Sequence, residues 1–99
     1  MVLLLTTPKG RKLTKHSQES LRRHGFKKPW DKVDAIIDDA TRIVTQADGA
    51  TVYIKRAAGR GRRYDFVITD DEGIVTGMLG KTRHEMNNLA RNYGWEPWF

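Results

Sequence analysis

The three histidines of this chain, His16, His24 and His84, are its side chains best suited to proton transfer near neutral pH. Cleavage of RNA without a metal ion is one reaction that needs such groups. A base deprotonates the 2′-hydroxyl, an acid protonates the leaving 5′-oxygen, and cations stabilise the crowded phosphorane. The histidines therefore favour phosphodiester chemistry, provided that cations surround one of them.

His16 has the most suitable surroundings of the three. It follows Lys15 in the first turn of a predicted helix, and a helix N-terminus attracts phosphate. His24 stands beside Gly25, where a histidine commonly interacts with the negative end of a helix. His84 lies inside a helix-capping motif, where exposure to solvent is the simpler interpretation. An exposed helix-start residue also remains an open interpretation of His16.

Polar side chains also gather on one side of two central predicted strands. Alternation places Val52, Ile54, Tyr64, Phe66 and Ile68 on one face, which we expect to contact the helices. The opposite face carries Tyr53, Lys55, Arg63, Asp65 and Thr69. Thr76 lies on the next strand. An antiparallel sheet can simply present such residues to water, but their position beside a basic loop favours a site.

Charge is unevenly distributed along the chain. Eighteen Lys and Arg residues against twelve Asp and Glu residues give a net charge of +6. Eight cations and one acid lie in residues 1–30, and five cations lie in residues 55–63. Segregated cations predict a polyanionic partner, RNA before DNA. The expected RNA-binding residues are Lys15, Arg23, Lys27, Lys28, Arg60 and Arg62.

Several other chemistries lack their sequence signatures. The chain has no cysteine, which excludes disulfides and cysteine-containing zinc sites. Phosphate-binding loops, dinucleotide-binding motifs and zinc-hydrolase motifs are also absent from the sequence. The acids of residues 70–72 are expected to be a solvated turn rather than a calcium loop. We therefore predict no metal, no cofactor and no membrane partner.

The elements that must position these residues form an α+β pattern. A first helix is expected from the cap Thr14 to His24, and a second opens at Asp31 with an apolar stripe of Val33, Ile36, Ile37 and Ala40. Four strands are expected at residues 42–46, 51–56, 63–69 and 74–79, as an antiparallel meander because the links are short. The capping box Thr82-x-x-Glu85 begins a final helix that ends at Gly94.

This order, ααββββα, fits one domain in residues 14–99 preceded by a polar lead-in at residues 1–13. The aromatic tail, residues 95–99, is expected to fold back onto that domain.

The segment Lys15-His16-Ser17-Gln18-Glu19-Ser20-Leu21-Arg22-Arg23-His24-Gly25-Phe26 carries a further indication. A helix with a histidine, then arginine, then a glycine and an apolar residue resembles some groups of small bacterial ribonuclease toxins. With the meander and the lack of cysteine, the chain is similar to nuclease domains of contact-dependent growth inhibition and other polymorphic toxins, in the barnase/EndoU/colicin/RelE superfamily. This similarity covers nearly the whole chain in layout, but only those dozen residues as a motif.

The resemblance implies a metal-independent RNA endonuclease, often specific for tRNA, that leaves a cyclic phosphate. It implies a domain exported within a larger toxin, active in the cytoplasm of the target cell and neutralised by a cognate immunity protein, which the basic charge predicts to be acidic. Apart from that complex we expect a monomer. For the arginine of the first helix the resemblance implies either Arg22 or Arg23. With the polar strand residues, the candidate catalytic set is His16, Arg22, Tyr53, Lys55, Arg63, Asp65 and Thr76.

Two alternatives remain open at this stage. A non-catalytic RNA-binding module would use the same cations to hold phosphates. A protein-interaction domain would present its basic face to an acidic partner.

Overall fold

A computed structural model of the chain describes residues 6–59 and 61–99. In them the protein forms three helices and four strands, in the order helix, helix, four strands, helix. The predicted α+β class is therefore confirmed. The helices are α1 (Lys15–Arg23), α2 (Asp31–Asp38) and α3 (Arg83–Tyr93), and the strands are β1 (Arg42–Thr45), β2 (Thr51–Arg56), β3 (Arg63–Asp70) and β4 (Gly73–Thr82).

The four strands form one antiparallel sheet in sequence order, β1-β2-β3-β4. This meander is the predicted one, because each link is a short turn that only an antiparallel partner can follow. In the register, Tyr53 lies opposite Val67 and Lys55 lies opposite Asp65. The first and last strands are the edges of the sheet, so β4 has one open side.

Helices cover both faces of this sheet, which corrects the prediction of a single helical face. On one face Val52, Ile54 and Phe66 pack with α3 and the C-terminal tail. On the other face Val67 is fully buried against α1 and α2, in a core with Leu21. Alternation identified the two sides of each strand correctly, but it cannot show that a side with several polar residues is also covered.

The helix ends follow the predicted signals at α1 and α3. Thr14 caps α1 by accepting the backbone N–H of Ser17, and Thr82 forms the predicted capping box with Glu85. Gly94 ends α3 in the left-handed region. Helix α2 differs, because its cap is Trp30 at φ 72° and Asp31 is already helical. Burial of the Trp30 side chain in the core between α1 and α2 accompanies this strained backbone.

Part of the predicted lead-in, residues 6–13, packs on the domain. Thr7 donates a hydrogen bond of 2.7 Å to buried Asp34 of α2, and Arg11 forms ion pairs with both Asp34 and Asp38. Leu13 is buried beside Ile74. These contacts fix the start of α1 at the turn between β3 and β4.

The aromatic tail folds back onto the sheet, as predicted. Trp95 and Trp98 are buried with the core on the α3 side. The Trp95 indole N–H donates to Gln46, and the Trp98 indole N–H donates to Asn87. Arg42 lies over the Trp98 ring, 4.4 Å from its centroid, and donates to the tail carbonyls.

Candidate active site at the edge of strand β4

Two hydroxyl groups join α1 to the edge strand β4. The Ser20 Oγ and the Thr76 Oγ1 lie 2.6 Å apart, so one hydroxyl donates to the other. The hydroxyl that accepts keeps its own proton, which remains able to donate elsewhere. We call Ser20 and Thr76 the hydroxyl pair.

The geometry of α1 places two predicted functional residues beside the hydroxyl pair. Residues four apart on a helix lie one above the other, so exposed His16 lies one turn before Ser20. Exposed Arg23, three residues after Ser20, continues the same line. We call His16, Ser20 and Arg23 the α1 stripe. It flanks the buried side of the helix, which Ser17 and Leu21 form.

Arg22, the arginine of α1 that was predicted to be catalytic, is exposed elsewhere on the helix. At about 100° per residue it lies roughly a third of a turn around the helix from His16. Arg23, which was the alternative to Arg22 as the site arginine and was also expected to bind RNA, is the arginine that shares a line with His16. Of these two neighbours, Arg23 is therefore the one on the same side of α1 as His16.

A glycine in β4 brings the end of α1 close to the sheet. A Cβ atom at Gly77 would lie 2.8 Å from the Phe66 carbonyl oxygen and 3.0 Å from the Phe26 ring. Because Gly77 has no side chain, buried Phe26 packs directly on the strand. Just before Gly77, Ile68 pairs with Thr76 whereas Thr69 pairs with Ile74, so Val75 is an additional residue. This bulge lies next to Thr76, and bulges commonly redirect side chains at functional sites.

Arg63 and Asp65 do not lie beside His16. Their side chains instead bind the backbone of β4 at a second irregularity of that strand. The Asp65 carboxylate is buried and accepts the Gly80 backbone N–H at 2.8 Å. The Arg63 guanidinium donates to the Gly80 carbonyl oxygen at 3.0 Å. Gly80 has φ of 65°, a left-handed conformation that favours glycine. These contacts give Asp65 a structural task, so the expectation that it faces an open site is wrong.

Tyr53 and Lys55 lie on the face that α1 and α2 cover. Both are partly buried, in register with buried Val67 and Asp65. The prediction that they form an open polar surface is therefore wrong, because helix packing on this face was not visible in the alternation of the strands.

The predicted set divides between the two ends of the sheet. The backbone N–H of Ile74 bonds to Lys12, so α1 starts at the turn between β3 and β4. Arg63 pairs with Thr82 at the other end. Seven residue steps along β3, at about 3.3 Å each, separate these ends by roughly 23 Å. The structure thus joins Ser20 of the α1 stripe to Thr76, with His16 and Arg23 about 10 Å apart along the same flank of the helix. Arg63 and Lys55 lie toward the other end of the sheet.

Several cations gather at the Arg63 end, which we call the basic end. Helix α1 exits there, since a Cβ atom at Gly25 would lie 3.7 Å from the Leu79 side chain. Lys27 and Lys28 follow this exit and are exposed, as are Arg62 and Arg63 after the turn between β2 and β3. Arg60 in this turn lies outside the described residues. Lys15 is exposed near the start of α1, at the opposite end.

Two other cations of the N-terminal cluster are already neutralised within the protein. Lys9 forms an ion pair with Asp38, and Arg11 pairs with Asp34 and Asp38. Hydrogen bonds from Lys9 and Arg11 lower the pKa of Asp38, and the bond to Asp38 raises the pKa of Lys9. The count along the sequence suggested that the cations of residues 1–30 all face a ligand. These two do not, because they face carboxylates of the protein itself.

Ser20 is the member of the site that was not predicted. Its spacing of four residues from His16 was visible in the sequence, but serine is common on helix surfaces. Only the contact with Thr76, 56 positions away, distinguishes it.

In residues 6–59 and 61–99, no group of three or more His, Asp or Glu side chains is placed to hold a metal ion. Over the same ranges, no helix combines the length and apolar character needed to cross a membrane.

Comparison with known proteins finds no family model, no curated protein and no solved structure that matches this chain. The resemblance to toxin ribonucleases stays a prediction from the sequence.

Proposed function

We propose that this protein is an RNA endonuclease that acts at the edge of β4, without a metal ion, by attack of the 2′-hydroxyl on the adjacent phosphate. The observation that supports this proposal is the 2.6 Å contact between Ser20 and Thr76. This contact sets how α1 is rotated about its own axis. With that rotation, the His16 imidazole and the Arg23 guanidinium lie on the same flank of the helix as Ser20.

Each member of the site has a role in this reaction. The His16 imidazole accepts the 2′-hydroxyl proton while the 2′-oxygen bonds to phosphorus. The bond from phosphorus to the 5′-oxygen breaks, and the leaving oxygen takes a proton from water. A 2′,3′-cyclic phosphate remains. The Arg23 guanidinium and the free proton of the hydroxyl pair stabilise the charge that develops on the phosphoryl oxygens.

The basic end fits the same proposal as a binding surface for the rest of the RNA. Its exposed cations are Lys27, Lys28, Arg62 and Arg63. Arg63 lies roughly 20 Å from the start of α1 by the rise of the strands. An RNA chain that follows the edge of β4 would place several phosphates along this path. We propose tRNA as the substrate on the sequence resemblance alone.

The toxin context is part of the proposal. A nuclease of this kind, exported within a larger toxin to act in the cytoplasm of a target cell, requires an inhibitor in the cell that makes it. An acidic immunity protein that covers the basic end would block RNA through charge complementarity.

A non-catalytic RNA-binding module is the second candidate function. The separation between His16 and the basic end favours it, because most exposed cations lie far from the proton-transfer group. Such a module would bind RNA with an affinity that falls steeply with salt, but would leave the RNA intact.

One incubation separates the two functions. Purified protein is mixed with tRNA in the presence of EDTA, and the RNA ends are identified. The proposed endonuclease produces fragments with 2′,3′-cyclic phosphate ends. Intact RNA that co-migrates with the protein would instead establish the binding module.

A further inference from the structure

A cavity of about 400 Å³ opens on the opposite face of the sheet from α1. It lies between the sheet, α3 and the two turns that join β1 to β2 and β3 to β4. This volume falls within the usual range of small-molecule sites. Thr76 of the hydroxyl pair also lines the cavity, so the cavity adjoins the proposed reaction site at the edge of β4 and extends from there to the α3 side of the sheet.

The interior of the cavity is apolar and partly aromatic. Buried Phe66 and Trp95 line it, with their ring centroids 5.3 Å apart in an edge-to-face arrangement. Tyr93 of α3, which is 52% exposed, lines it as well. The faces of aromatic rings attract organic cations, and tryptophan does so most strongly.

The rim of the cavity carries negative charge in a protein whose net charge is +6. Asp48 comes from one turn, and Asp70 and Asp71 come from the other. Within residues 6–59 and 61–99, none of the three forms an ion pair. Phosphate would be repelled here, whereas an ammonium group would be attracted.

We propose that this cavity binds a small organic cation, an amine with an aromatic or aliphatic body. The apolar body would contact Phe66 and Trp95, and the ammonium group would lie at the rim beside Asp70 and Asp71. Aromatic rings and carboxylates favour the same kind of ligand by independent interactions. This inference does not depend on the proposed nuclease activity.

Tryptamine is a suitable probe, and tryptophol, which has a hydroxyl in place of the ammonium group, is its neutral control. The indole N–H signals of Trp95 and Trp98 in a nitrogen–proton NMR spectrum report separately on the cavity and on the tail. Tryptamine should shift the Trp95 signal saturably, with a dissociation constant near or below about 1 mM. Tryptophol should bind about tenfold more weakly, because it lacks the charge.

Variants test which groups hold the ligand. Asp71→Asn should weaken tryptamine binding by about threefold or more, and Glu72→Gln should not, since Glu72 is in the same turn but does not line the cavity. Tyr93→Ala, at an exposed position, should also weaken binding. The proposal is wrong if the Trp95 signal does not change up to about 10 mM tryptamine, or if tryptophol binds as tightly as tryptamine.

Discussion

Ser20 on α1 and Thr76 on β4, 56 positions apart in sequence, bring their hydroxyl oxygens to 2.6 Å from each other. This contact connects the predicted histidine helix to the edge of the sheet. Because helix geometry fixes where the neighbours of Ser20 lie, the same contact determines which side of α1 borders β4. Around the helix axis, exposed His16 and Arg23 lie within about 60° of Ser20, and Arg22 lies about 160° from it.

Replacing Ser20 with alanine should reduce cleavage more than stability. The lost hydrogen bond should lower the free energy of unfolding by about 0.5–1.5 kcal/mol. The cleavage rate should fall at least about tenfold, because a donor to the phosphate is lost and α1 is less well positioned. Initial rates and urea unfolding measure the two effects. Gln18→Ala, on the other flank of α1, is the matched control, and an equal loss of rate there would contradict the assignment.

Arg23 and Arg22 form a natural pair for testing the side of α1 that contacts RNA. Arg23→Ala should lower the cleavage rate about 100-fold, since a cation beside the developing charge is removed. Arg22→Ala should change it less than about threefold, because that guanidinium lies on another part of the helix surface. Single-turnover rates at fixed ionic strength make the comparison. A larger effect at Arg22 would show that the predicted catalytic arginine was correct after all.

Asp65 should prove to be a residue of the fold and not of the reaction. Asp65→Ala leaves the Gly80 N–H without its acceptor, which should cost about 1–3 kcal/mol in the free energy of unfolding. Asp65→Asn keeps an oxygen acceptor and should cost less. Chemical denaturation measures both variants. If Asp65→Asn keeps wild-type stability and yet abolishes cleavage, the carboxylate takes part in the chemistry.

Asp38 should make part of the stability dependent on pH. Its pKa is lowered in the folded protein by hydrogen bonds from Lys9 and Arg11. The carboxylate therefore stabilises the fold above its unfolded pKa of about 4, and this contribution is lost as pH falls through the lower folded pKa. The difference in unfolding free energy between the wild type and Asp38→Asn should shrink between about pH 5 and pH 2. Asp39→Asn is the control, and a constant difference for Asp38→Asn would contradict the ion-pair account.

The sequence predicted the elements of this fold well because their signals are local. The caps at Thr14 and Thr82, the apolar stripe of α2 and the short links of the meander each act within a few residues. Exact ends were less accurate, and β4 runs from Gly73 to Thr82 where residues 74–79 were expected. Glycines such as Gly80 made that strand look shorter, although bulges allow it to continue through them.

The candidate site was only partly predictable, because its members meet through tertiary contacts. His16 and Thr76 were identified by residue type, but their relation depends on Ser20. Asp65 and Lys55 were placed on an exposed face because alternation shows which residues share a side, not what covers it. The pairing of Lys9 and Arg11 with α2 was equally invisible, since it joins segments about twenty-five residues apart.

The most direct measurement is the rate of tRNA cleavage in EDTA by the wild type, His16→Ala and His84→Ala. His84 is exposed on α3, where its ring nitrogen lies 3.4 Å from the Asn88 amide, and it serves as the matched control. We predict that His16→Ala lowers the rate by roughly 100- to 10,000-fold with an unchanged melting temperature, and that His84→Ala cleaves like the wild type. Cleavage by His16→Ala at the wild-type rate would contradict the placement of the reaction at the edge of β4.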